Sequence, residues 1–341
     1  SMSKTQAAIN EQPLAPYRRG DLFFKRLSKK KSAKPRVIEM YRKKFHAPCD
    51  KIYVKGVGNL DLSPFIKFKS PKPLGFIRGF GGIDKSHRFV ISDVEVFVYQ
   101  NKRDYQVQFN PSHFKSYQYM DLVLRVLLKE HYDEAQIFKT HLFVDIKKQL
   151  KDVYDSITVK YKRQTTKYKP AEFTTTKSGR LDEASFTLGV GSNKTDCIKV
   201  YNSTTKHGLP DPSTRIERQY NNSKFCPIHK LEDLPKLIDV NPFTHVTLHS
   251  VLDTSKLKGE DLTRFKLLDC MRRSKGLHAA MAELRKDNPK DFNREYRQVL
   301  ALLENSNIDL ISLYKKKMSA FLKRPMSKLE IAFLKDLGVR L

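Results

Sequence analysis

The sequence predicts an α+β protein: an open, mostly antiparallel sheet flanked by helices, followed by a helical C-terminal region. Three observations carry this. Strand-type alternation of β-branched and aromatic residues recurs between Ile52 and Tyr220. Asn101-Lys-Arg-Asp joins two of those runs as a hairpin would. Beyond Pro242 apolar residues fall at helical spacing instead.

The elements follow in order. FVISDVEVFVYQ (Phe89 to Gln100) and YQVQF (Tyr105 to Phe109) read as strands, with Gly75, Gly79, Gly81 and Gly82 puncturing the segment before them. Met120 to Tyr132 reads as a helix with a broad apolar face. Three alternating segments come next: HLFVDIK from His141, CIKVYNS from Cys197 and TRIERQY from Thr214. Between the first two lies a polar Thr/Lys/Tyr-rich stretch, Tyr161 to Arg180, suited to a long hairpin or an exposed loop. In the C-terminal part Leu262, Phe265, Leu268 and Met271 form one helical stripe, and Phe292, Tyr296, Val299 and Leu303 a second. Ser327 and Glu330 form a capping box ahead of Ile331, Leu334 and Leu337. The expected organisation is a basic arm over 1–50, a β-rich body over 51–241 and a helical region over 242–341.

Charge names the partner class. The 341 residues carry 65 Lys and Arg against 37 Asp and Glu, a formal charge of +28. Such an excess favours polyanions through counterion release and steers their approach. Nucleic acid is therefore the expected partner. Residues 1–50 alone hold 13 Lys and Arg against 4 acids, including Lys29, Lys30 and Lys31, and read either as a phosphate-contacting extension or as a loose tail. No run of 18 apolar residues offers a membrane span, and no apolar leader opens the sequence. Four scattered cysteines suit a reducing compartment, so a cytoplasmic protein is expected. G-x-x-x-x-G-K-[ST] is absent, which argues against a nucleotide-hydrolysing P-loop.

Alternation then assembles a candidate site. Side chains on a strand point to opposite faces in turn. Leu142, Val144 and Ile146 share one face, leaving Asp145 and Lys147 on the other. Ile198 and Val200 turn inward, leaving Lys199, Tyr201 and Ser203 outside, and Ile216 is buried between Arg215 and Glu217. One sheet would thus display Asp145, Tyr201 and Glu217 amid Lys147, Lys199 and Arg215. Two carboxylates supply hard ligands for Mg²⁺ or Mn²⁺, a tyrosine hydroxyl is a nucleophile once activated, and the cations hold a phosphate backbone. Ordinary cross-strand ion pairs would give the same pattern.

GVGSNKTDCIKVYNSTTKHG followed by STRIERQYN resembles the replication-initiator family of rolling-circle plasmids and phages, the Rep_trans type. HLFVDIK is similar to that family's upstream acidic strand, and the likeness runs from about Thr140 to Tyr220. The resemblance implies an HUH-like nuclease sheet in which Tyr201 nicks one DNA strand, stays on the 5′ phosphate and frees a 3′ hydroxyl as primer. It implies Asp145 and Glu217 as ligands of Mg²⁺ or Mn²⁺. Where the family continues its tyrosine strand with Lys and then Glu, this sequence has Ser203, Lys206 and His207, so that either the third ligand is absent or His207 takes its place. Lys199 and Lys147 are the expected catalytic cations; Arg215, Lys206, Lys194 and the arm lysines are the expected DNA contacts. The implied partners are double-stranded origin DNA, single-stranded DNA, a host helicase and a second copy of the chain, in a bacterial cytoplasm.

A conjugative relaxase uses the same chemistry. A non-catalytic DNA-binding replication factor or repressor is the alternative from another class, and a single-strand or RNA binder using Tyr161 to Lys169 is a third. His245 and His249 beside Cys226-x-x-His229 hint at zinc, but no second close pair completes a structural site. Tyr99 and Tyr105 lie in apolar strands without a carboxylate pattern and read as packing residues.

Overall fold

The computed structural model describes residues 45–70, 85–91, 94–159, 172–174, 185–189, 196–210, 212–244, 246–251, 258–277, scattered positions from 280 to 297, 303–305 and 308–341. The expected arm lysines, Lys194, His245, the glycine-rich segment and Tyr161 to Lys169 lie outside them.

The strands are β1 (Cys49–Val57), β2 (Lys85–Ile91), β3 (Val94–Gln100), β4 (Asp104–Phe109), β5 (Gln136–Ile146), β6 (Ile157–Val159), β7 (Glu172–Thr174), β8 (Ser185–Gly189), β9 (Asp196–Asn202), β10 (Thr214–Tyr220), β11 (Val246–Val251) and β12 (Leu303–Asn305). Nine of them form one open sheet in the order β2-β3-β4-β1-β5-β10-β9-β8-β7. Every pairing in it is antiparallel. The expected α+β class, with an open antiparallel sheet flanked by helices, is what the chain adopts.

The helices are α1 (Tyr117–Leu128), α2 (Leu150–Tyr154), α3 (Ser203–His207), α4 (Gly259–Lys275), α5 (Leu310–Lys323) and α6 (Lys328–Asp336). Ser116 caps α1, accepting from the Tyr119 amide; the capping box of Ser327 and Glu330 opens α6. One face of the sheet is apolar: Ile52, Val54, Val96, Val107, Leu142, Val144, Val200 and Ile216 are buried there with Val123 and Leu124 of α1 and Tyr314, Met318 and Phe321 of α5. Burying that apolar face leaves the opposite, polar face to carry chemistry.

Two sequence expectations change. Phe89 to Gln100, read as one strand, forms parts of two: Ile91 pairs with Val94, and β2 lies antiparallel beside β3. Leu303, read as the end of a helical stripe, begins β12 and pairs with Val251, because a ladder to β11 satisfies its backbone. Among the described residues no helix is long and apolar enough to cross a membrane.

The small sheet β12-β11-β6 sets one pH dependence. His249 is buried, its Nε2 2.8 Å from Thr158 Oγ1. Burial pulls its imidazole down to about 4. The unfolded chain protonates near the ordinary histidine value, so between pH ~6.5 and ~4 it binds more protons than the folded chain and stability falls as pH drops. His249→Gln is expected to shallow the acid limb of a urea-midpoint profile in that window. His207 adds to the limb in the same sense, so part of it remains; an unchanged slope would remove His249 as a cause.

Candidate functional site

The polar face concentrates its groups on β5, β10 and β9, with β10 in the middle. Register fixes who meets whom: Arg215 lies opposite Asp145 on one side and Tyr201 on the other, Glu217 opposite Phe143 and Lys199, and Gln219 opposite His141 and Cys197. Directly opposed residues of an antiparallel pair share a face. Asp145, Tyr201, Glu217, Lys199 and Arg215 are therefore brought to one surface. Lys147 lies just past the end of β5, exposed to solvent.

Within that surface the groups sort into two linked clusters. The first surrounds Glu217, which is buried at 3% exposure. Its Oε2 accepts from the Tyr201 hydroxyl at 2.8 Å, and its Oε1 accepts from Gln219 Nε2 at 2.5 Å and faces His141 Nδ1 at 3.3 Å. Burial alone would raise the Glu217 carboxyl, but the contact with His141 and the bonds from Gln219 and Tyr201 outweigh it and hold the acid well below its ordinary range. Burial and the neighbouring Glu217 charge push the Tyr201 hydroxyl well above the usual tyrosine value. His207 Nε2 stands 3.4 Å from the Tyr201 hydroxyl. Burial, then Arg215 and Lys206, bring its imidazole down to about 3, so it is neutral at pH 7. Lys206 Nζ lies 4.0 Å from the Tyr201 ring centre and Lys199 Nζ 5.9 Å.

The second cluster is built on Arg215, whose side chain has no exposed surface. Its Nε and Nη2 donate to the two oxygens of Asp145 at 2.8 and 2.9 Å. The guanidinium lies 3.6 Å from the Phe143 ring centre and 4.3 Å from that of Phe45, and the two rings stand edge to face with each other. Ser203 Oγ also donates to Asp145, at 3.1 Å, and Lys317 of α5 approaches the same acid at 4.0 Å. Arg215 Nη1 lacks a hydrogen-bond partner among the described residues and lies 3.6 Å from Asp50 Oδ1. That approach ties the two clusters together.

Asp50 reaches the site through a bulge. Cys49 pairs with Leu142 while Lys51 pairs with the adjacent His141, so Asp50 is the extra residue on β1. A bulge re-aims a side chain out of strict alternation, which sends Asp50 to the polar face while Cys49 and Ile52 stay in the core. Burial and Glu217 raise the Asp50 carboxyl above its ordinary value, with Arg215 opposing.

Ligand atoms of Asp50, His141 and Glu217 all lie within 4.8 Å of one another. Among the described residues no other His, Cys, Asp and Glu group is so close. Two carboxylates and one imidazole suit a divalent cation, with Mn²⁺ favoured over Mg²⁺ by the nitrogen donor. Asp145, saturated by Arg215, and His207 stand outside this group, and Glu217 belongs to it. Cys226 is a buried thiol raised to about 11 by burial, against Thr140 rather than His229. Tyr105 is buried in the core and Tyr99 lies on the polar face of β3.

Sequence reasoning missed His141, Gln219 and Asp50. His141 stands four residues before Asp145, and Gln219 two after Glu217, so alternation alone places both on the polar face. Asp50 carried no such signal, because a bulge is invisible in a period of two.

No protein-family model matches the chain, and no curated protein does. Among solved structures, a rolling circle replication initiator protein from Geobacillus stearothermophilus is similar over 67% of this chain and 97% of its own, at 12% identity and a TM-score of 0.34.

Proposed function

We propose that this protein cuts and rejoins a DNA strand through Tyr201, as an initiator of rolling-circle replication. The observation that carries the reading is the Tyr201 hydroxyl donating at 2.8 Å to Glu217, which is also a member of the Asp50–His141–Glu217 group. A structural tyrosine needs a hydrogen-bond partner; it does not need one that shares a potential cation site. The basic balance of +28 supplies the affinity for a polyanion.

Asp50, His141 and Glu217 would hold Mn²⁺ or Mg²⁺. Bound there, the cation polarises a phosphoryl oxygen and eases ionisation of a nearby hydroxyl. The chain's own groups do the rest. Tyr201 Oη attacks phosphorus as its proton passes to Glu217 Oε2. The bond from phosphorus to the 3′ oxygen breaks, and that oxygen takes a proton from solvent and leaves as a 3′ hydroxyl. The 5′ phosphate stays on Tyr201, and attack by a 3′ hydroxyl reverses the step. Lys206 and Lys199 flank the ring, positioned for the phosphate charge. Tyr201 is only 2% exposed, and Lys206 and Phe45 lie over its surroundings, so a strand enters as these side chains swing aside.

The test uses a randomised pool of single-stranded oligonucleotides labelled at the 3′ end, with Mn²⁺ and the full chain. We expect a labelled adduct that survives detergent, absent from Tyr201→Phe. An adduct formed equally by Tyr201→Phe would overturn the nucleophile. No adduct in the wild type with any pool would favour a non-catalytic DNA-binding protein.

A further inference from the structure

Beside His141, on the same face, a strip of rings and lysines lies outside both clusters. Tyr53 of β1 and Phe138 of β5 have ring centres 6.0 Å apart, and Tyr53 lies 6.3 Å from the His141 ring. Lys139 Nζ stands 5.2 Å from the Tyr53 ring centre and 5.8 Å from that of Phe138, and Lys55 Nζ reaches Phe138 at 5.8 Å. A second register break makes this possible. Tyr53 pairs with Lys139 and the next residue, Val54, with Ile137, so Phe138 is an extra residue on β5. Ile137 and Thr140 keep their buried places while Phe138 and Lys139 are both partly exposed.

The strip continues across the sheet. Gln108 lies opposite both Tyr53 and Phe97, while the next row, Gln106 and Tyr99, is buried. Arg88 of β2 pairs with Phe97, its guanidinium 5.9 Å from that ring. The other side of these strands holds the buried Val54, Val96, Val98 and Val107. Lys51, Lys55 and Lys139 give the strip its sign; Arg88 and Glu95 neutralise each other, and Asp104 sits at the far end of β4.

We propose that this strip is the track along which a DNA single strand reaches the Tyr201 site, with bases stacking on Tyr53 and Phe138 and phosphates meeting Lys51, Lys55 and Lys139. The proposal rests on the strand-cutting reading above. Flat rings partly exposed on an open sheet, with cations beside them, match unpaired bases and a backbone. Duplex DNA hides its base faces and is read by elements that protrude into a groove, which this surface lacks among the described residues.

Anisotropy of fluorescein-labelled (dT)20 tests it, in chelator so that no cleavage intervenes. Tyr53→Ala and Phe138→Ala should each weaken binding roughly ten-fold, since alanine in place of a stacked ring typically costs that much or more. Tyr53→Phe should bind like wild type. Lys55→Gln with Lys139→Gln should lower the salt slope by about 1.4, because each phosphate no longer neutralised takes ~0.7 from it. Wild-type affinity in both alanine variants, or equal loss in Tyr53→Phe, overturns the track. Adduct formation with ring-independent binding would sink the track alone, whereas ring-dependent binding without any adduct would sink the cutting reading alone.

Discussion

Arg215→Ala is expected to destabilise the fold by about 3–5 kcal/mol, the usual cost of removing one partner from a buried ion pair. Arg215 is wholly buried and donates through two nitrogens to Asp145, which among the described residues then keeps Ser203 and a distant Lys317. Asp50 is deprived of the guanidinium at 3.6 Å as well, while burial and Glu217 already raise its carboxyl. The rings of Phe45 and Phe143 lose the guanidinium packed against them. Arg215→Lys keeps the charge but not the planar fork, and should recover only part of the loss. Urea unfolding at pH 7 reads both values. A loss below about 1 kcal/mol in Arg215→Ala would mean that the pair is open to water, since exposed pairs contribute no more than that. Arg215 is thus a structural cation, and its Nη1 faces Asp50 rather than solvent.

How much of this was legible depends on which rule each residue obeys. Strict alternation in HLFVDIK, CIKVYNS and TRIERQY was enough to bring Asp145, Tyr201 and Glu217 to one face, because β5, β10 and β9 are adjacent and unbulged there. Extending that alternation one step would have found His141. The partners of each acid were not legible. Asp145 and Glu217 look alike in a strand pattern, yet register sets Arg215 against Asp145 and leaves Glu217 to His141, Gln219 and Tyr201. Asp50 and Phe138 each sit at a register break of the β1–β5 pair, where a one-residue insertion reverses what alternation predicts.

Asp50→Asn and Glu217→Gln should lose divalent cation alike and yet move the metal-free stability in opposite directions. Each removes one of two carboxylates from the Asp50–His141–Glu217 group, so the rise in melting temperature that Mn²⁺ gives the wild type should vanish in both. At one hundred times its dissociation constant a cation adds about 2.7 kcal/mol to the folded state, a shift that calorimetry resolves. Without metal the signs part. Glu217 is held below its ordinary range by His141, Gln219 and Tyr201. Its ionisation therefore stabilises the fold above the unfolded-state pKa, and that contribution is lost as pH falls through the folded value. Glu217→Gln removes it, with an expected cost of about 1–3 kcal/mol at pH 7 for the buried partners left behind. Asp50 is raised by burial and by Glu217, so its charge opposes folding once pH exceeds the folded value, and Asp50→Asn relieves that opposition. The metal-free melting temperature should therefore rise or hold in Asp50→Asn and fall in Glu217→Gln. Adduct formation should drop in both, and most steeply in Glu217→Gln, roughly 10²- to 10⁴-fold, because it also loses the proton acceptor of Tyr201. A Mn²⁺ shift that persists in both variants would separate the cation from this triad, and equal destabilisation by both would show that Asp50 is held by Arg215 as a structural partner instead.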